Sequence, residues 1–66
     1  MKTYIVSITD NTIINLLNTT TNQTHTIIIA EDFDSNSKII DYVIASSYQF
    51  KKVKKYTFTD NILNVF

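Results

Sequence analysis

The stretch Phe50-Lys51-Lys52-Val53-Lys54-Lys55-Tyr56 sets four of the chain's six lysines between two aromatic residues. Lysines can follow a phosphate backbone while rings stack on bases, the combination that holds single-stranded nucleic acid. The same residues, Phe50, Lys51, Lys52, Lys54, Lys55 and Tyr56, equally form a basic contact surface for an acidic protein partner. A third reading is structural, because lysines on an exposed strand keep its edge from pairing with a neighbouring chain. Against nucleic acid stand a formal net charge of zero and the absence of arginine, the side chain that grips phosphate and guanine bidentately. Of the two binding roles, the protein contact is therefore preferred.

The acidic stretch Glu31-Asp32-Phe33-Asp34-Ser35-Asn36 places Asp32, Asp34 and Asn36 at the first, third and fifth positions of a calcium-loop pattern. Its sixth position is Ser37 where a glycine must turn the loop, and its twelfth is Val43 where a bidentate glutamate is required. An acidic helix start, with Asp34 or Ser35 as the cap, accounts for the same residues. His25 is the only imidazole and lies between Thr24 and Thr26, as a surface or cross-strand histidine would. A chain with no glycine cannot build a phosphate-cradling loop, and one with no cysteine has neither thiol nucleophile nor thiolate metal site. The expectation is a non-enzymatic protein with no catalytic residues, no cofactor and no metal. Asn18 and Asn22 head sequons, which a chain this rich in threonine and asparagine produces by chance.

These residues need elements to hold them. Twenty-five of the 66 residues are Ile, Val or Thr, whose stiff side chains suit a pleated, half-buried surface, so most of the chain reads as strand. Thr3 to Thr9 alternates Tyr4, Val6 and Ile8 against Thr3, Ile5, Ser7 and Thr9, the period of a strand with one clearly apolar face. Ile13 to Asn18 reads as a strand in preference to a helix, although Ile13, Leu16 and Leu17 also fit a helical stripe. His25 to Ala30, with three consecutive isoleucines, reads as a strand buried on both faces or central in the sheet. The period then changes: Ile39, Ile40, Val43 and Ile44 recur at helical spacing, Tyr42 widens their stripe, and a helix over Asn36 to Ser47 follows. Strands over Val53 to Thr59 and Ile62 to Phe66 complete the order β-β-β-α-β-β. The expected fold is α+β, a small single domain of residues 1–66 with one helix packed on a face of an antiparallel sheet.

Thr-Asp-Asn occurs twice, at residues 9–11 and 59–61, each time before an apolar run. Ile13 to Leu17 aligns with Ile62 to Phe66 once a single residue is deleted from the first copy. Without glycine, a tight hairpin must use asparagine or aspartate for its positive φ angles, so both copies read as hairpin turns. Thr9 and Thr59 leave helix capping as the alternative. The polar run from Asn18 to Thr24 reads as a third hairpin tip.

With 44% apolar and 18% charged residues the chain is foldable, yet a domain of this size has a small core and, lacking disulfides and metal, gains from self-association or a partner. No membrane-spanning stretch or signal segment is visible, which places the protein in the cytoplasm. Residues 1–49 carry a net −3 and residues 50–66 a net +3, a split that favours oriented docking or antiparallel self-association. An abundance of residues with AT-rich codons in a short chain points to a bacteriophage or mobile element. Together these features give the expectation of a protein-binding module, a phage or mobile-element inhibitor that occludes the surface of a host defence protein in the host cytoplasm. A small nucleic-acid-binding protein using Lys51 to Lys55 and a structural homo-oligomer are the alternatives.

Overall fold

The computed structural model describes residues 1–66 as a five-stranded antiparallel sheet with one helix across one face. Its strands are β1 (Lys2–Thr9), β2 (Ile13–Asn18), β3 (Thr24–Ile28), β4 (Tyr56–Thr59) and β5 (Ile62–Val65). The helix α1 (Asn36–Ser46) lies between β3 and β4 and is followed by a single 3-10 turn, Tyr48–Phe50. Hydrogen bonding sets the order β3-β2-β1-β5-β4, so the longest strand is central and the expected β-β-β-α-β-β arrangement holds.

Both Thr-Asp-Asn stretches turn hairpins. Asp60 and Asn61 have φ angles of 54° and 64°, and Thr59 pairs with Ile62, which makes a two-residue loop of the type that matches strand twist. Asp10 and Asn11 adopt 52° and 58°, but Thr9 pairs with Ile13, so this loop contains one more residue, Thr12. Thr12 is the residue by which the two copies differ. Its carbonyl accepts the Ile29 amide at 2.9 Å and thereby ties the first hairpin to the exit of β3. At the third tip Asn18 Oδ1 accepts from the Thr20 and Thr21 amides, and Asn22 takes the remaining positive φ, 63°.

Ser35 starts α1: its extended backbone turns the chain in, and its Oγ accepts the Lys38 amide. Ile39, Ile40 and Val43 face the sheet and are fully buried, while Lys38, Asp41 and Ser46 stay wet. They rest on Tyr4 and Val6 of β1, Ile14 and Leu16 of β2, and Leu63 and Val65 of β5. Ile29 and Phe50 complete this core of eleven buried side chains. At the helix end the Ser47 amide still bonds to the Val43 carbonyl, but Ser47 itself is extended and the helix stops.

Two strand expectations are corrected. The His25 to Ala30 segment is neither central nor buried on both faces, because β3 is an outer strand of the sheet. Ile27 turns to the helix side, Ile28 turns away and is 76% exposed, and Ile29 is buried only beyond the end of the strand. The Val53 to Thr59 strand is shorter than expected and begins at Tyr56. The 3-10 turn carries the chain through Lys51 and Lys52, where the Val53 amide bonds back to the Phe50 carbonyl at 3.0 Å.

Candidate functional site

Lys51, Lys52, Lys54 and Lys55 lie on the connection into β4, not along a strand edge. Phe50, 3% exposed, packs edge-on against Tyr4 with ring centroids 5.6 Å apart, and half-buried Val53 joins the same core. These two apolar anchors force the intervening and flanking lysines outward. The Lys54 amide and the Lys55 carbonyl then bond to the Phe66 backbone, at 3.4 and 2.9 Å, which fixes the segment to the end of β5. Of the six residues anticipated as a contact surface, the four lysines are exposed, Tyr56 is half-buried and Phe50 belongs to the core.

Edge protection by these lysines does not apply as anticipated, because they precede the edge strand. The sheet edges are instead short, five residues in β3 and four in β4, which is itself a way to limit pairing.

Antiparallel pairing concentrates charge further. The start of β1, the end of β5 and the entry to β4 lie at one end of the sheet, bringing Lys2 to the four lysines of the connection. Five of the six lysines thus share one end. The opposite end carries the turn holding Asp10 and the chain leaving β3 with Glu31 and Asp32, while the turn holding Asp60 lies level with Val6 near the middle of β1. Charge is separated along the strands and not across the sheet from edge to edge. An eight-residue strand spans about 26 Å, and exposed charges are screened over about 8 Å in physiological salt, so each end presents its own field.

At the basic end lies a groove of about 470 Å³, lined by Lys2, Lys51, Lys52, Tyr48, Val65 and Phe66 among others. Tyr48 is 82% exposed, and Lys51 Nζ sits 4.8 Å from its ring centroid. Lys55 Nζ sits 5.5 Å from the ring of Phe66. Each ring is therefore covered on one face by an ammonium, which holds the lysine stem in place and keeps the charge at the groove rim. Lys2, Tyr48 and Phe66 are the site residues that sequence reasoning missed. Lys2 joins it through its pairing with Val65, Tyr48 through the 3-10 turn that precedes Lys51, and Phe66 through its backbone bonds to Lys54 and Lys55.

The remaining candidates do not converge. Asp34 forms an exposed ion pair with Lys38, at 3.0 Å, one helical turn apart. Asp32 and Asn36 bring no third carboxylate with them, and no group of three or more His, Cys, Asp or Glu side chains is placed to hold a metal ion. His25 is exposed near the start of β3. No helix is long and apolar enough to cross a membrane.

No family model matches the chain, and no curated protein or solved structure is significantly similar to it.

Proposed function

We propose that this protein is a non-enzymatic binding module that docks its basic end onto an acidic protein surface and acts by occluding it. The observation that carries this reading is the gathering of five lysines at one end of the sheet, three of them, Lys2, Lys51 and Lys52, lining a groove with exposed aromatic side chains. Ammonium groups steer an acidic partner into place, and Tyr48 and Phe66 supply the apolar contact that charge alone lacks. An inhibitor encoded by a phage or mobile element and directed at a host protein fits this mode of action, because occlusion needs a complementary surface and no chemistry. The ring geometry weighs against the nucleic-acid alternative: of the two rings it invokes, Phe50 is buried and Tyr56 is half-buried, and Tyr48 and Phe66 each already have one face occupied by a lysine.

The test compares affinity capture from native host lysate by the wild type and by the double variant Lys51→Glu/Lys52→Glu. The expected result is a stoichiometric protein partner retained by the wild type and lost by the variant. Capture of nothing, or of the same protein by both, rejects the reading. Fluorescence anisotropy with oligonucleotides runs beside it, and tight, salt-sensitive binding there would transfer the basic end to nucleic acid.

A further inference from the structure

The helix covers one face of the sheet, and the other face has nothing over it. On that face Ile5 pairs with Leu17 on one side and with Ile62 on the other, making an apolar row across the three central strands. Ile13 and Ile28 form a second apolar pair nearer the acidic end. The rest of the face is threonine, serine and asparagine, and no charged side chain of β1 to β5 points to it. A sheet face held in water ordinarily carries charge, and this chain has twelve charged side chains to place. None of them stands on this face within the five strands.

The polar groups on the face are also partly satisfied within it. Thr26 donates its hydroxyl to Asn15 Oδ1 at 2.7 Å, and Thr3 donates to Asn64 Oδ1 at 2.7 Å. Covering these hydroxyls strands no donor, which lowers the desolvation cost of burying the face. Each asparagine keeps its NH₂ group free to bond to a facing carbonyl.

We propose that this open face is a self-association surface on which a second copy of the chain stacks, turned so that the basic end of each lies over the acidic end of the other. The strands place no charge on the face, so two copies meet there without like-charge repulsion, and the same patch serves on both sides of a two-fold interface. The charge separation along the strands selects the orientation. A two-fold axis parallel to the strands would bring the two lysine-rich ends together at the roughly 10 Å spacing of packed sheets. An axis across the strands brings opposite charges together instead. Five strands at about 4.8 Å and a length of about 20 Å give about 480 Å² per copy and about 960 Å² in all, just under the roughly 1,000 Å² of the smallest specific interfaces. The dimer is therefore reversible and concentration-dependent.

This inference does not rest on the proposed acidic partner, because its variants leave the five end lysines untouched. The experiment is sedimentation equilibrium of the full chain over a concentration series into the millimolar range, for wild type, Ile5→Lys and Ile28→Lys. Ile5 and Ile28 are 44% and 76% exposed and outside the core, so neither variant removes buried packing, and far-ultraviolet circular dichroism checks each fold. The wild type should rise from 7.6 kDa towards twice that mass, while both lysine variants stay at the monomer mass. Added salt should weaken the wild-type dimer by screening its crossed charges. A wild type that remains monomeric, an Ile5→Lys variant that still dimerises, or association that strengthens with salt would each overturn the proposal.

Discussion

Asn61 and Asp60 turn the hairpin that sets the lysine-rich segment beside β5, and they offer the sharpest test of how a glycine-free chain folds. Their φ angles of 64° and 54° lie in the left-handed region, where a residue with a β-carbon is strained by about 1–2 kcal/mol. Asparagine and aspartate relieve part of that strain through local hydrogen bonds, and alanine does not. The Asn61 carbonyl also accepts the Val6 amide at 2.8 Å, so a displaced turn pulls on the central strand. The double variant Asp60→Ala/Asn61→Ala should therefore lose about 2–3 kcal/mol. A domain of this length has a total stability of roughly 3–10 kcal/mol. At about 4–8 °C per kcal/mol, the loss lowers Tm by about 10–20 °C in a thermal melt. Asn61→Gly should raise Tm, since glycine accepts positive φ without strain. Thr59→Ala should change stability by no more than about 0.5 kcal/mol, because Thr59 is an exposed strand residue and not a helix cap. A double variant as stable as the wild type, or Thr59→Ala as the costlier change, would refute this reasoning.

Two further outcomes follow from the packing. Leu63 is fully buried and paired with Tyr4 and Phe58, so Leu63→Ala should cost about 2–5 kcal/mol by urea denaturation, a large fraction of the total stability. Ser35→Ala removes the side-chain acceptor of the Lys38 amide; its bond is long at 3.3 Å, so the loss should fall near the low end of the usual 0.5–2 kcal/mol, about 0.5–1 kcal/mol in the same assay.

The parts of the fold legible in the sequence are those written in local pattern. The alternation of Tyr4, Val6 and Ile8 announced β1, the spacing of Ile39, Ile40 and Val43 announced α1, and the need for positive φ without glycine explained both Thr-Asp-Asn turns. Sheet order is not local. The three isoleucines of residues 27–29 looked central because three apolar residues in a row fit a doubly buried strand, yet they divide among the core, the open face and the strand exit. Val53 and the lysines have strand-like composition, but Phe50 and Val53 are anchored three residues apart, a helical-turn spacing that only the core beneath them imposes. The basic site was half legible for the same reason. Its four consecutive-region lysines are a sequence feature, whereas Lys2, Tyr48 and Phe66 reach it through β1–β5 pairing and the 3-10 turn.

The claim that the basic end is the docking end is tested most directly by amide hydrogen exchange of the protein alone and in complex with its captured partner. New protection should fall on residues 48–55, on Lys2 and on Phe66, the segments around the groove. Protection confined to the turns at Asp10 and Asp60, or to the outward residues of β2 and β3, would contradict it.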